Sequence, residues 1–429
     1  MAAIMSDFES MWRELAPVGR SATTGGYFRT PWTAAERECV GWFREQASAR
    51  GLSVETDAVG NMIAWWRVST DATTAPAGST TTTTAKGVLT GSHLDSVLDG
   101  GAFDGPLGVV SAFAAIDLIR ERGVTPAKPI GIALFREEEG SRFGLPCLGS
   151  RLATGATTWE QATQLRDRDG VWFLDAVDAV DADEPVGVAL EHGDDQATLD
   201  LHGTVGCFVE LHVEQGRDLV DRGVPVGVAS SILPHGRYRF DFVGEANHAG
   251  TTRMEDRRDP MLTYAMTVLA ANKQARTSGQ RATFGRIDVR PNGTNAVPSA
   301  VTAWLDARAD SSERLERLVA DVERLAEDRA GRDGTTLTVA AESVSGEVVF
   351  DVALAQRIAA RDDGGPAWPV IPTMAGHDAG VLSAAGIPTA MLFVRNPSGI
   401  SHSPAEHADM ADCLAGVEAL ADTLERLAT

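Results

Sequence analysis

VLTGSHLDSVLDGGAFDGPLGVVSAFAAIDLIRERGVTPAKPIGIALF, residues 88–135, is the stretch that decides the fold. A short apolar stretch ends at 91–93, and apolar residues then recur at helical spacing over 106–122 until Gly123. The run 129–135 is continuously apolar, as in a strand that is covered on both faces. A strand, a helix and a strand in this order predict an α/β domain with a mostly parallel central sheet.

The flanking sequence extends this alternation in both directions. Helices are predicted at 33–50 and 409–427. A strand pair is predicted at 52–66, and single strands at 204–213 and 388–394. Residues 69–85, STDATTAPAGSTTTTTA, are polar and of low complexity. Because such a segment cannot bury enough apolar surface to order itself, we predict a flexible hairpin loop there.

The pattern changes near residue 232. Strands are predicted at 237–245, 283–290, 300–309 and 335–342, and helices at 257–275 and 311–330. Together they make a smaller α+β unit, 232–342, inserted into the α/β domain. The larger domain is therefore predicted to be discontinuous, with residues 1–231 and 343–429 on either side of the insertion.

Composition excludes several classes of protein. The chain has 429 residues, of which 43% are hydrophobic and 23% charged, as in soluble globular proteins of two or three domains. Its formal net charge is −22. A nucleic-acid binder needs a basic surface to release counterions from phosphates, and an anionic membrane repels such a chain. We therefore expect neither a nucleic-acid partner nor a membrane partner.

Targeting and redox signals point to the cytoplasm. The first residues, MAAIMSDFESMWREL, lack the basic start and the apolar run of a signal peptide. The four cysteines lie far apart and form no CxxC pair. This suits free, buried thiols in a reducing compartment, and neither a disulfide framework nor a thiolate zinc site.

Ionisable residues crowd four segments that follow predicted strands. The segments are GSHLDSVLDGGAFDGPLG (91–108), REEEGSRF (136–143), ELHVEQG (210–216) and ISHSPAEH (400–407). Ligands of open α/β sheets bind at the carboxyl ends of the strands. Adjacent carboxylates there repel one another unless a cation is near, and imidazole with carboxylate suits zinc, manganese, nickel or cobalt. A solvated acidic loop would explain Glu137, Glu138 and Glu139 alone, but not all four segments.

A pair of such ions would need about five protein ligands, with one carboxylate bridging. A nearby carboxylate that is not itself a metal ligand could then take a proton from a water molecule held by the two ions. Asp95 follows His93 by two residues and could orient that imidazole. Spacing alone leaves open which glutamate is a ligand and which is a base.

Motifs along nearly the whole chain carry a resemblance to a known family. They are GSHLDSV, GGAFDGPLGV, EEEGSRF, ELHVEQG, GEANHAGTT, RPNGTNAVP, AGHDA and GISHSPAEH. The chain resembles the binuclear-metal amidohydrolases that include allantoate amidohydrolase, N-carbamoyl-L-amino-acid hydrolase and β-ureidopropionase, relatives of the aminoacylases. This resemblance implies a hydrolase with two divalent metal ions per subunit, Mn²⁺ or Zn²⁺ ahead of Ni²⁺ or Co²⁺.

The resemblance also implies roles for individual residues. The implied metal ligands are His93, Asp104, Glu139, His212 and His402. Asp104 would bridge the ions, Glu138 would be the general base, and Asp95 would support His93. The implied substrate contacts are Gln215, His248, Asn295, Arg308, Gly376 and His377. A guanidinium such as that of Arg308 suits a substrate carboxylate because it can bind both oxygens.

The inserted unit resembles the family's lid, which implies a homodimer. His248 would then reach across the dimer and polarise the scissile carbonyl. The implied reaction is hydrolysis of a ureido C–N bond of a small carboxylate, with release of ammonia. The motif ANHAGTT favours allantoate as the substrate. The alternative substrates are N-carbamoyl-L-amino acids or a β-ureido acid. The activity of an aminoacylase or a dipeptidase is less favoured. Arg253 and Met374 depart from the family pattern and bear on the substrate.

Overall fold

The computed structural model describes residues 2–68, 85–179, 198–361 and 364–429. The loop predicted over 69–85 lies, apart from its last residue, outside the described part of the chain. The chain divides into two compact units, a larger one of Met1–Ser230 with Val349–Thr429 and a smaller one of Ser231–Val348.

The helices of the described residues are named here in chain order. They are α1 (Ala2–Leu15), α2 (Ala34–Ala49), α3 (Pro106–Glu121), α4 (Leu148–Thr154), α5 (Trp159–Thr163), α6 (Phe173–Asp178), α7 (Leu201–Thr204), α8 (Asp218–Arg222), α9 (Pro260–Ser278), α10 (Ser312–Asp333), α11 (Val352–Ala359), α12 (Asp378–Ala384) and α13 (Met410–Ala428). A short 3₁₀ turn lies at Met254–Asp256. Among the described residues, no helix combines the length and the apolar character needed to cross a bilayer.

The strands are likewise named in chain order. They are β1 (Ser53–Thr56), β2 (Met62–Trp66), β3 (Gly87–His93), β4 (Ile130–Phe135), β5 (Val205–Val213), β6 (Val226–Ile232), β7 (His235–Val243), β8 (Asn247–His248), β9 (Arg281–Arg290), β10 (Ala296–Val297), β11 (Ala300–Arg308), β12 (Thr336–Ser345), β13 (Val348–Val349), β14 (Val370–Thr373) and β15 (Thr389–Val394). The elements predicted from hydrophobic periodicity all occur, with ends that differ by a few residues.

A nine-stranded sheet organises the larger unit, in the order β1-β2-β4-β3-β5-β15-β6-β13, with β14 paired to β6. The pairs β4–β3, β3–β5 and β5–β15 are parallel, and β2 and β6 add to them in the antiparallel sense. Strands β3, β4 and β15 are buried along their whole length, because helices cover both faces of the sheet. The predicted α/β class with a mostly parallel central sheet is confirmed.

The smaller unit has a four-stranded antiparallel sheet in the order β12-β7-β11-β9. Burial alternates along β7 and β11, so each strand turns one apolar row inward. Phe240, Phe242 and Leu305 from these strands share a core with Leu318 and Val322 of α10. This sheet with two helices is the α+β unit that the sequence predicted as an insertion.

Candidate metal centre

The candidate site lies at the carboxyl ends of the parallel strands of the larger unit. His93 is the last residue of β3, and His212 is the last but one of β5. Glu137 to Glu139 follow β4, and His402 lies in the loop after β15. Because neighbouring parallel strands end at one edge, residues as far apart in sequence as Asp104 and His402 meet here.

Asp104 is the residue to which the three histidines converge. Its Oδ1 lies 3.7 Å from Nε2 of His93 and 3.2 Å from Nε2 of His212. Its Oδ2 lies 3.2 Å from Nε2 of His402. Glu139 Oε2 lies 3.5 Å from the same nitrogen of His402. The five residues implied as ligands therefore form two groups that share the Asp104 carboxylate.

A tight turn places Asp104 against His93. Gly105 follows it with φ +84° and precedes the first turn of α3. A Cβ atom at Gly105 would lie 2.5 Å from the His93 ring. Only glycine fits both this backbone conformation and this close approach.

Asp95 supports the site in two ways. Its carbonyl oxygen lies 3.2 Å from Nδ1 of His93, and its Oδ1 lies 3.4 Å from the same atom. An acceptor at Nδ1 directs the other ring nitrogen, Nε2, toward Asp104 as the ligating atom. The Asp95 carboxylate also accepts the backbone N–H groups of Glu138 and Glu139, at 3.3 and 3.2 Å.

The three adjacent glutamates point in different directions. Glu137 has φ +55° and accepts the backbone N–H groups of Arg142 and Phe143, so it is a structural residue of the loop. Glu138 Oε2 lies 3.7 Å from Nε2 of His93. Glu139 turns to His402 and accepts the backbone N–H of Val97 at 3.3 Å. The three side chains therefore have different partners: the loop backbone for Glu137, His93 for Glu138 and His402 for Glu139.

Burial controls the protonation of these carboxyl groups. It raises the pKa of Glu138 well above its usual range, against the opposing charge of His93. It raises the pKa of Glu139 to about 7, aided by repulsion from Asp104. Burial would also raise the pKa of Asp104, but hydrogen bonds from His212 and His402 hold it well below its usual range. Such a crowd of buried carboxyl groups is costly without a cation.

The donor atoms fit a metal centre. Nε2 of His93 is buried and makes no hydrogen bond to any described residue, and Nε2 of His212 is buried against Asp104 Oδ1 at 3.2 Å. Atoms of His93, Asp104 and His212 lie within 4.8 Å of one another, and so do those of Asp104, Glu139 and His402. Buried imidazole nitrogens that face a shared carboxylate are arranged as ligands of a divalent transition metal are.

Several buried residues of this site were not singled out from the sequence. Glu406 accepts the backbone N–H groups of Phe103 and Asp104 at 2.8 and 3.0 Å and so holds the Asp104 turn. Glu210 accepts the hydroxyl of Ser92 at 2.7 Å, and burial raises its pKa. Both residues lie inside motifs quoted above, so membership of a motif was the available signal.

Cys147 is a further unpredicted neighbour of Glu138. Its thiol lies 3.6 Å from Glu138 Oε1, and its backbone N–H donates to the Glu138 carbonyl at 2.6 Å. Its φ is +56°, which is unusual for a residue other than glycine. Burial raises the pKa of this thiol well above its usual range, so it is a neutral donor beside Glu138.

Gln215 and His377 lie close to the same histidines. Gln215 Nε2 donates to Asp104 Oδ2 at 2.8 Å and lies 3.3 Å from Nε2 of His402. The ring of His377 is 3% exposed and its centre is 4.4 Å from that of His212. Gly376, next to it, is exposed.

The smaller unit carries the other three predicted site residues. His248, at the end of β8, is exposed, and its Nδ1 accepts the backbone N–H groups of Gly250 and Thr251 at 3.0 and 3.2 Å. A neutral imidazole in this arrangement bears its proton on Nε2. The Asn295 carbonyl accepts the backbone N–H of Ala249 at 3.0 Å, directly next to the Ala296–His248 pair of β10 and β8.

Arg308 is the last residue of β11 and is partly buried. Its guanidinium makes two hydrogen bonds to Asp306, of 2.8 Å from Nε and 3.1 Å from Nη2.

Comparison with known proteins gives one consistent result. The model of peptidase family M20/M25/M40 matches residues 89–426. The chain is 35% identical to an N-carbamoyl-L-amino acid amidohydrolase of Geobacillus stearothermophilus, over 98% of each chain. It is 31% identical to an allantoate amidohydrolase of Escherichia coli, over 94% of this chain and 93% of that one. An amidase of the hydantoinase/carbamoylase family from Burkholderia vietnamiensis, of known structure, is 27% identical, with a TM-score of 0.87 over 99% of this chain and 97% of that one.

Proposed function

The chain belongs to peptidase family M20/M25/M40 and is a hydrolase of C–N bonds, and we propose that it hydrolyses the ureido C–N bond of a small carboxylate. The observation that carries the proposal is the buried Asp104 carboxylate. One of its oxygens faces His93 and His212 and the other faces His402. A general-base candidate, Glu138, stands 3.7 Å from the same His93 nitrogen.

Two divalent metal ions per subunit complete the proposed centre. His93, His212 and Asp104 would hold one ion, and Asp104, Glu139 and His402 the other. Mn²⁺ or Zn²⁺ suits these nitrogen and oxygen donors best, and Ni²⁺ or Co²⁺ is accepted by the same set. When bound, the ions would polarise the scissile carbonyl and lower the pKa of a water.

Glu138 is the proposed general base. Its carboxylate would take the proton from the attacking water and then give it to the leaving nitrogen. Asp95 holds the backbone N–H groups of Glu138 and Glu139, so it fixes the base and a ligand together. The products of a carbamoyl substrate are the free amine, carbon dioxide and ammonia.

The smaller unit would supply the substrate contacts. His248 has its Nδ1 occupied, so its Nε2–H is the donor for an oxyanion. Asn295 and Arg308 would bind the carboxylate of the substrate. Gln215, Gly376 and His377 of the larger unit are proposed to line the remainder of the pocket.

A homodimer through the smaller unit is also proposed. Leu262, Met266 and Leu269 recur at helical spacing on α9 and are 44%, 39% and 65% exposed. Strand β9 lies at an edge of its sheet and is mostly exposed. An apolar stripe beside an open strand edge is typical of a surface that a second copy covers. His248 would then act in the partner's site.

Two substrates are supported by different observations. The motif ANHAGTT favours allantoate, whereas the 35% identity favours an N-carbamoyl-L-amino acid. Arg253 is exposed and pairs with Asp256 on the smaller unit, so it tolerates a change. Met374, three residues before His377, would shape a side-chain pocket.

The test is ammonia release by the manganese-loaded protein from allantoate, N-carbamoyl-L-amino acids and 3-ureidopropionate side by side. N-acetyl amino acids and dipeptides serve as comparison substrates. Turnover of a ureido acid at least about a hundredfold faster than any acetyl amino acid is the expected result. Preference for an acetyl amino acid or a dipeptide would refute the ureido proposal.

A further inference from the structure

A cavity of about 310 Å³ opens at the end of the central sheet opposite the candidate metal centre. Gly87, the first residue of β3, lines it, whereas His93, the last residue of β3, belongs to the metal centre. A strand rises about 3.3 Å per residue, so these two ends are about 20 Å apart. Cys207 near the start of β5 and Pro388 just before β15 also line the cavity, which confirms that it lies at the amino ends of the strands.

Three cations from separate segments line this cavity: Lys86, Lys128 and Arg357. The chain has only three lysines, and its acidic residues outnumber its basic residues by 22. Two lysines at one cavity therefore depart strongly from the acidic character of the whole chain. Within the described part of the chain, none of the three cations forms a salt bridge. Lys128 Nζ donates to the Leu427 carbonyl at 2.9 Å, and Arg357 Nη2 to the Arg426 carbonyl at 3.3 Å.

One carboxylate, that of Asp351, also lines the cavity. It is engaged in capping α11, because its Oδ1 accepts the backbone N–H of Leu354 at 2.7 Å. The cavity therefore keeps an excess of positive charge. In a chain of net charge −22, three cations that line one cavity and form no salt bridge to a described residue indicate an anionic ligand.

The rest of the wall is small or apolar. Val88, Leu354 and Leu427 offer hydrocarbon surface, and Gly87 has no room for a side chain, because its Cβ would lie 2.6 Å from the Trp65 ring. A bare inorganic anion would leave this surface unused. An anion with a small organic body would cover it.

We propose that this cavity binds a small phosphate monoester. Donors from three segments suit the three terminal oxygens of a phosphate, which accept charge-assisted hydrogen bonds. The site is separate from the metal centre and does not rest on the proposed substrate.

Cys207 gives a local readout of occupancy. It lines the cavity and is partly exposed, whereas Cys39, Cys147 and Cys413 are buried. Burial raises the pKa of its thiol, while Lys128 and Arg357 oppose that rise. Alkylation of this thiol is therefore sensitive both to a ligand in the cavity and to the cations around it.

The experiment measures alkylation of Cys207 by iodoacetamide in the metal-loaded protein, by peptide mass spectrometry. The probes are glycerol 3-phosphate, inorganic phosphate and citrate at equal ionic strength. Glycerol 3-phosphate is expected to slow alkylation in the wild type. The Lys86→Gln/Lys128→Gln variant is expected to need at least about tenfold more of it for equal protection. Lys273→Gln, which changes the remaining lysine, is the matched control and should behave as the wild type.

Arg357→Gln provides an independent second variant, should the double variant fold poorly, and is expected to weaken protection in the same direction. Absence of protection by glycerol 3-phosphate, or equal protection in wild type and variants, overturns the proposal. Inorganic phosphate or citrate protecting as well as the ester overturns the assignment to a phosphate monoester. Because Cys207 precedes His212 by five residues on β5, the readout lies about 17 Å from the metal centre, and phosphate bound to the metals does not mimic it.

Discussion

Replacing Glu406 tests whether the Asp104 turn is held as the structure indicates. Glu406 is 5% exposed, and its Oε1 accepts the backbone N–H groups of Phe103 and Asp104. Its Oε2 accepts the hydroxyl of Ser401 at 2.8 Å. Glu406→Ala removes both acceptor oxygens and all three hydrogen bonds, whereas Glu406→Gln keeps an oxygen of the same shape for the two backbone donors.

The free energy by which each substitution should destabilise the Asp104 turn follows from these contacts. A buried donor without an acceptor costs about 1–3 kcal/mol, so two such N–H groups cost about 2–6 kcal/mol. Water that enters the space left by the side chain recovers part of this, and we expect about 3 kcal/mol for Glu406→Ala. Loss of charge alone in Glu406→Gln should cost about 1 kcal/mol. The two values correspond to about a hundredfold and about fivefold in an equilibrium constant.

Hydrogen exchange of the peptide that contains Phe103 and Asp104 is the suitable assay, because it reports local opening in a protein of two units. Exchange should quicken by these factors, and the affinity for manganese should fall by about tenfold or more in Glu406→Ala. Glu121→Ala, which removes an exposed glutamate at the end of α3, is the matched control and should change little. Unchanged exchange of both amides in Glu406→Ala would refute the reasoning.

Three further predictions concern Glu138, Gly105 and Asp57. Glu138→Gln should lower turnover by about a hundredfold or more with the metal content unchanged by elemental analysis, and full turnover would remove it as the base. Gly105→Ala should lose metal and thermal stability, because the new Cβ meets the His93 ring. The control is Gly123→Ala, which has φ +71° but open space around it and should keep its metal. Equal metal loss in both variants would contradict the steric argument. Burial raises the pKa of Asp57 to about 7, so ionisation costs more in the folded state, and the free energy of unfolding should decline between about pH 4 and pH 7. Thermal denaturation at several pH values should show a shallower decline in Asp57→Asn, and an unchanged decline would count against that pKa.

Hydrophobic periodicity predicted the central strands because both of their faces are buried. Strands β3, β4 and β15 are short apolar runs with polar residues at their carboxyl ends, so the sheet edge that brings the candidate site together could be located from sequence. The inserted unit was found by its alternating strands and by its amphipathic helix α10.

Other features depend on backbone conformation or on distant contacts. The separation of Glu137 from Glu138 rests on a left-handed residue, which no periodicity reports. Glu406 meets Asp104 across 302 residues, so its role cannot be read from its neighbours in sequence. The exposure of Cys207 departs from the expected burial of free thiols, because β5 starts at the edge of a cavity.

The discontinuity of the larger unit has a consequence for synthesis of the chain. Strand β15 pairs in parallel with β5, so Thr389 lies opposite Phe208, and the smaller unit is translated between them. The smaller unit is continuous in sequence, so it can fold while the rest is still on the ribosome. The central sheet and its candidate site cannot be completed until β15 and the loop with His402 have been translated. A truncated product would therefore expose the apolar edge of β5 and be a target for chaperones or proteases before any metal could be held.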